Sequence, residues 1–310
     1  MDPEKFQPPF SILLAQDGSQ HALAAAELIC DLQLPVGSSI SVLGVISPKE
    51  ASTIAVIEAA FEQNRSRFQE RGLKVKTELV SGHPAECVIE YAEQYFPDLI
   101  VVGARGLRQT LGVFLGGVAQ QVVECSRWPV LVVRAPYQGL RRVLLVTDGS
   151  TCSQYAVEYM SSNARLNDIG RRPRLPLPSK AGVQVMHVLP PLTTPNLFAQ
   201  SLHLGPEIVV PLEEIALREA EEEKQGQAIL EQALQILESG GVQASGIMKR
   251  GDAASEVIAF VKEQQIDLVV AGSRGLGRVR GWLLGSVSRQ LVHHAGCSVL
   301  IVKGTPEMTG

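Results

Sequence analysis

Residues 267–286 read DLVVAGSRGLGRVRGWLLGS, the segment that says most about the fold. Its apolar beginning has the character of a β-strand and leads into the turn Gly272-Ser273-Arg274-Gly275. Nine residues later Gly285-Ser286 precedes a stretch of helical character, Val287 to His294. Glycines let a backbone approach an anion closely, and the N–H groups of the first helical turn point at it. The stretch therefore predicts an α/β fold with a phosphate site.

The same pattern occurs earlier in the chain. Residues 98–117 read DLIVVGARGLRQTLGVFLGG, and residues 98–133 match residues 267–302 at 16 of 36 positions. The opening strands repeat too, with LLAQDGS at 13–19 and LLVTDGS at 144–150. We therefore predict two copies of one unit, a first domain at 1–137 and a second domain at 138–310.

Each copy is expected to be a doubly wound parallel five-stranded sheet with helices on both faces. Short, nearly continuous apolar runs are typical of strands that are buried on both faces. Their alternation with helical segments implies parallel strands joined by right-handed crossovers. We place the strands near 11–16, 40–46, 74–80, 98–103 and 129–134, and near 142–147, 183–189, 242–248, 267–272 and 298–302. A long acidic helix is expected from about Leu212 to Glu238, with its charges on a solvated face.

The composition narrows the class of protein. Of 310 residues, 45% are hydrophobic and 19% are charged, a mixture typical of soluble globular domains. The net charge of −4 gives no basic field for nucleic acid or anionic membranes, and no apolar run reaches the roughly 18 residues of a membrane span. The five cysteines form no C-x-x-C pair, which favours reduced thiols. We expect a cytoplasmic protein without nucleic-acid or membrane partners.

The candidate site lies where two loops of the second copy meet. In open parallel sheets, ligands bind beyond the carboxyl ends of the strands, at the point where the winding reverses. Asp148 follows the first strand of this copy and Gly272 ends the fourth, so the two loops border one crevice if these strands are neighbours. Positive charge suited to a polyphosphate comes from Arg274, Arg278 and Arg280.

The motif G-x2-G-x9-G-[ST], together with an aspartate after the first strand, resembles that of the universal stress protein family in its tandem two-domain form. The resemblance covers essentially the whole chain and implies an adenine nucleotide α-hydrolase-like fold that binds ATP, with or without Mg²⁺. By this analogy Thr147 and Asp148 contact adenine or ribose, and Val188 lines the adenine pocket. The analogy assigns ribose and phosphate contacts to Gly272, Arg274, Gly275, Gly285, Ser286, Val287 and Ser288.

The first copy departs from this pattern. It retains Asp17, Val45, Gly103, Arg105, Gly106 and Gly116. However, Gly117 replaces the hydroxyl residue of the motif, and Ala119 stands where the second copy has Ser288. Each lost hydrogen bond to a charged group weakens binding by roughly 1.5–3 kcal/mol. We therefore predict a competent second site and a weaker first site.

The resemblance implies a nucleotide-binding regulatory protein of the stress response, whose ATP occupancy is sensed by a protein partner. The chain has no P-loop, no G-x-S-x-G and no H-E-x-x-H motif, so we assign no catalytic residue and no metal ligand. Slow ATP hydrolysis or autophosphorylation is the most we expect. The alternatives are an enzyme of adenylate chemistry and a nucleotide-free interaction module. In the latter, the Asp-Gly-Ser turns only cap helices and the glycines only shape turns.

Two further expectations concern assembly. The resemblance implies that the copies pair through their last strands, 130–133 and 299–302, since each is otherwise an apolar edge. The sequence leaves open whether the whole chain forms a homodimer. The basic, proline-rich segment 170–178 is expected to be an extended surface loop, with a partner-docking segment as the alternative.

Overall fold

The computed structural model describes residues 9–46, 53–107, 115–161, 174–192, 212–275 and 284–303. Ten strands lie in these ranges: β1 Ser11–Ala15, β2 Ser39–Ile46, β3 Lys74–Ser81, β4 Leu99–Gly103, β5 Val130–Val133, β6 Arg142–Val146, β7 Gly182–Leu189, β8 Ala244–Arg250, β9 Leu268–Gly272 and β10 Ser298–Val302. The helices described are α1 Gln20–Asp31, α2 Ile54–Gln69, α3 Pro84–Tyr95, α4 Gly117–Cys125, α5 Thr151–Met160, α6 Leu212–Ser239, α7 Ala253–Gln264 and α8 Ser286–His294. Every predicted strand is present within two residues of its expected bounds.

The ten strands form one continuous sheet in the order β3-β2-β1-β4-β5-β10-β9-β6-β7-β8. All neighbours within each half are parallel, which confirms the doubly wound domains. At the centre, β5 and β10 pair antiparallel, with Leu131 opposite Leu300. This confirms that the copies pair through their last strands. The winding reverses between β1 and β4 and again between β6 and β9, which fixes where ligands can bind.

The core covers both faces of this sheet. Successive strand residues point to opposite faces, so Leu14 and Leu145 belong to one buried cluster, and Leu13 and Leu144 belong to the other. Each cluster contains residues from both halves of the chain. The hydrophobic core is therefore continuous across the centre of the sheet.

The proline-rich segment differs from the expectation. Leu175 and Leu177 are only 1% and 7% exposed, and the carbonyl of Pro176 accepts a hydrogen bond of 2.9 Å from the backbone N–H of Gln33 in the first half. The prediction of a surface loop is therefore wrong for residues 174–178, which pack between the halves. Residues 170–173 of this segment, and the insertion at 193–211, lie outside the described residues.

The long acidic helix α6 begins at the predicted residue and ends one residue beyond the predicted end. Most of its glutamates are exposed, as predicted for a solvated face. Glu222 forms a 2.8 Å ion pair with Arg250 of β8. Among the helices that the structure describes, none combines the length and the apolarity needed to cross a membrane.

Candidate functional site

A cavity of about 580 Å³ opens at the carboxyl ends of β6 and β9, where the winding of the second half reverses. Its wall contains all ten residues that the sequence assigned to this site: Thr147, Asp148, Val188, Gly272, Arg274, Gly275, Gly285, Ser286, Val287 and Ser288. Arg278 and Arg280, proposed as additional cations, lie outside the described residues. The two loops therefore border one crevice, as the strand order requires.

The turn after β6 shapes one side of the cavity. The hydroxyl of Ser150 accepts a 3.3 Å hydrogen bond from the backbone N–H of Ser153 and so caps α5. Asp148 Oδ1 accepts a 3.0 Å bond from the N–H of Ser150. Capping is therefore the role of the serine in this Asp-Gly-Ser turn, while the aspartate holds the turn and lies in the cavity wall.

The glycine turn after β9 packs against this first loop. A Cβ added at Gly272 would lie 2.5 Å from the carbonyl of Cys152, and one added at Gly275 would collide with Asp148 Oδ2. Glycine at 272 is thus required by the packing of α5 against β9, whether or not a ligand binds. Gly275 is exposed and covers the aspartate, so a side chain there would intrude on the cavity.

The start of α8 borders the cavity beside the glycine turn, since the backbone N–H of Gly285 donates a 2.8 Å hydrogen bond to the carbonyl of Ser273. Gly285 is the N-cap and supplies no side-chain hydrogen bond, so the N–H groups of the first turn lack a cap. Ser286 is exposed at the cavity, whereas Ser288 is 5% exposed and donates a 2.7 Å hydrogen bond to the carbonyl of Gly272. While that bond persists, the hydroxyl of Ser288 cannot donate to an anion, and only its backbone N–H is available.

Two cations flank the cavity. Arg274 is half-buried in the wall, and the exposed Arg289 lies 3.9 Å from Glu124 of the first half. Arg289 was not predicted from the sequence, although its position three residues after Ser286 places both on one helix face and was a usable signal. Other wall residues, which carry no motif, were not predicted either: Val146, Ser153, Ala253, Ala271 and Leu284.

A second cavity, of about 290 Å³, occupies the equivalent place at the carboxyl ends of β1 and β4. Its wall contains all six residues predicted for the first site: Asp17, Val45, Gly103, Arg105, Gly106 and Gly116. Asp17 Oδ1 accepts a 2.9 Å hydrogen bond from the N–H of Ser19, which caps α1, so the turn repeats that of the second half. Gly117 and Ala119 also line this cavity, which therefore lacks both serine hydroxyls.

Comparison with known proteins agrees with this architecture. The model of the universal stress protein family matches the chain twice, at residues 10–134 and 139–303. A universal stress protein from Mycolicibacterium smegmatis is 25% identical over 317 residues, covering 95% of this chain and 97% of its own. One from Thermus aquaticus is 35% identical over 137 residues, covering 40% of this chain and 98% of its own. The solved structure of a universal stress protein from Archaeoglobus fulgidus has a TM-score of 0.59 at 20% identity, covering 94% of this chain and 98% of its own.

Proposed function

The chain belongs to the universal stress protein family, in a tandem arrangement, and from that premise we propose that it is a regulatory protein that binds ATP mainly in its second domain. One observation carries the proposal. An acidic turn at 148–150, and a glycine turn and an uncapped helix start that follow much later in the sequence, at 272–286, converge on one cavity at the switch point of the second half. We take residues 1–137 and 138–310 as the two domains, a division that fits the two matched ranges.

The phosphate end of the proposed ATP site is the start of α8. The N–H groups of residues 286–288 carry the positive end of the helix dipole, and the exposed hydroxyl of Ser286 adds a donor. Arg274 and Arg289 lie on the same wall and supply two positive charges. This combination suits a polyphosphate better than a single phosphate group, because several donors and both charges can be used at once.

We place the nucleoside end at the turn after β6. Asp148 offers carboxylate oxygens to the hydroxyls of ribose or the amino group of adenine, both of which are donors. Apolar side chains of Val146, Val188 and Leu284 line the wall and can contact a flat base. The family resemblance assigns the same roles to Asp148 and Val188.

Magnesium would enter with the nucleotide, held by phosphate oxygens and water, as is usual for this ion. Among the described residues no group of three or more His, Cys, Asp or Glu side chains could hold a metal by itself. Hydrolysis would further require a group that activates water beside the terminal phosphate. In the described part of the cavity wall the carboxylate is Asp148, which we place at the nucleoside end, so we propose binding rather than efficient turnover.

Mass spectrometry of the purified protein under non-denaturing conditions tests this function. We expect ATP to co-purify, or to bind when added, with one tightly held molecule per chain. ATP turnover over many cycles would favour the enzymatic alternative instead. If no adenine nucleotide binds at any concentration near the cellular range, the nucleotide function fails and the interaction module becomes the better account.

A further inference from the structure

The first cavity contains a buried hydrogen-bond donor without a partner. Gln16 lines this cavity and is 2% exposed. Its Oε1 accepts a 2.9 Å hydrogen bond from the backbone N–H of Gly18, which fixes the orientation of the amide because only the oxygen can accept. Its Nε2 is buried without a hydrogen-bond partner. An orphaned buried donor is costly, so native structures usually supply an acceptor.

The equivalent position of the second domain does have internal hydrogen-bond partners. Gln16 occupies the position of Thr147, whose Oγ1 likewise accepts from the backbone N–H that follows, that of Gly149, at 3.3 Å. The hydroxyl of Thr147 has a second contact at 3.1 Å with the hydroxyl of Ser153. The first domain has Ala22 in place of Ser153, and a methyl group cannot accept a hydrogen bond. The second cavity therefore satisfies this position internally, whereas the first does not.

The first domain holds a second buried side-chain amide without hydrogen-bond partners. The side-chain oxygen and nitrogen of Asn64 in α2 are also buried without partners. Asn64 lines neither of the two cavities, whereas Gln16 lies in the wall of one. Gln16 therefore borders a space that a ligand can enter.

The phosphate end of the first cavity is poorer in charge and in hydrogen-bond donors. Gly117 stands where the second domain has Ser286, and Gln120 stands where it has Arg289. Gln120 donates a 3.2 Å hydrogen bond to Glu124 within α4. Arg105 is the cation that remains in the described wall. With about half the volume of the second cavity, this site suits a ligand with little phosphate.

We propose that the first cavity binds an adenine nucleoside carrying at most one phosphate, and that the side chain of Gln16 shifts on binding so that its Nε2, buried in this structure, donates to a ring nitrogen of the base. Leu43, Ile57 and Val88 give the cavity an apolar lining that suits a flat base, and Asp17 offers an acceptor to the sugar or the amino group. This inference rests on the proposed nucleotide function of the second domain. The protein would then respond to ATP in one domain and to its dephosphorylated forms in the other.

The test is calorimetric titration of the full chain carrying Gly275→Val and Ser286→Ala, which disables the second cavity. We expect adenosine or AMP to bind more tightly than ATP. Adding Gln16→Glu retains an oxygen for the N–H of Gly18 but removes the donor. Its expected effect is about tenfold weaker adenosine binding, the value of one lost hydrogen bond. The pair Gln16→Thr and Ala22→Ser, which copies the second domain, should weaken adenosine binding similarly.

In an otherwise wild-type chain, Gln16→Glu should leave ATP binding at the second cavity unchanged, which shows that the variant folds. The inference is overturned if ATP binds the first cavity more tightly than adenosine and AMP, if none of the three binds it, or if neither Gln16 variant changes adenosine binding. These outcomes leave the second domain untouched. Failure of ATP to bind the wild-type chain would instead refute the proposed function itself.

Discussion

At the scale of single residues, Ser286 and Ser288 have different surroundings although they lie in the same turn of α8. The motif and the family resemblance assigned both serines to the phosphates. Residues two apart on a helix point in different directions, so one hydroxyl is exposed at the cavity and the other bonds to the carbonyl of Gly272. The sequence predicts that a helix begins there, but the direction of each side chain depends on how the helix packs on β9.

Because the two hydroxyls differ in this way, the alanine variant of each serine is the control for the other. Ser288→Ala removes a buried hydrogen bond and is expected to lower the free energy of unfolding by about 1 kcal/mol while ATP affinity stays nearly constant. Ser286→Ala should do the opposite, weakening ATP about tenfold with little change in stability. Urea denaturation and ATP titration of both variants check this. Equal losses of ATP affinity would show that both hydroxyls contact the ligand.

Lys303, the residue after β10, is expected to make the stability of the fold depend on pH. Burial, followed by the positive charge of Arg274, lowers the pKa of Lys303 from 10.5 to about 8. Folding therefore disfavours the charged form, and the unfolded chain binds more protons between pH 8 and pH 10.5. The folded state should accordingly gain stability as pH rises through this window, by about 3 kcal/mol.

The measurement for Lys303 is the difference in unfolding free energy between the wild type and Lys303→Met across this pH range. Taking the difference removes the contributions of thiols and tyrosines that titrate in the same window. We expect the unfolding free energy of the wild type to increase relative to that of the variant as pH rises from 8. A difference that stays constant with pH would contradict the lowered pKa.

At the scale of elements, Arg134 links the two domains. It follows β5, and its Nη2 donates hydrogen bonds of 2.8 and 3.1 Å to the carbonyls of Val292 and His293 at the end of α8. These carbonyls lack partners within the helix and carry the negative end of its dipole. The first domain thus holds the C-terminus of the helix whose N-terminus borders the second cavity.

We predict that Arg134→Met lowers the free energy of unfolding by about 2–3 kcal/mol, because two part-buried bonds from a charged donor to helix-end carbonyls are lost. Lys262→Met, at an exposed position in the last turn of α7, is the matched control and should change stability by less than about 0.5 kcal/mol. Chemical denaturation compares the two. An Arg134 variant as stable as the control would mean that solvent replaces these bonds without loss.

Elements differ in how far their sequence predicts them. The apolar runs of inner strands such as β4 and β9 gave bounds within one residue, because burial on both faces leaves a continuous signal in the sequence. The prediction of a surface loop at 174–178 was wrong, because proline and arginine are typical of exposed loops and dominated the prediction. Leu175 and Leu177 of this segment are buried by contacts between the domains, which local composition cannot reveal. The contact of Arg134 with α8 was hidden for the same reason.

At the scale of the whole molecule, the internal repeat predicted most of the architecture. The apolar last strands and the family resemblance predicted their pairing, and the antiparallel β5–β10 pair joins ten strands in one sheet. The residues that the sequence assigned to the two sites all line the two cavities, because glycine turns and strand ends have fixed places in this fold, whereas other wall residues such as Arg289 were not predicted. The smaller volume of the first cavity and the buried amide of Gln16 depend on packing and could not be predicted.

The central claim is that the two cavities are unequal and that the second is the ATP site. Its most direct test is calorimetric titration of ATP into the wild type and two matched variants. Gly275→Val, combined with Ser286→Ala, would crowd Asp148, and Gly106→Val would crowd Asp17 in the same way. We predict one tight site per wild-type chain, a loss of about a hundredfold or more in the first variant and little change in the second. Two equal sites, or greater loss with Gly106→Val, would contradict this account.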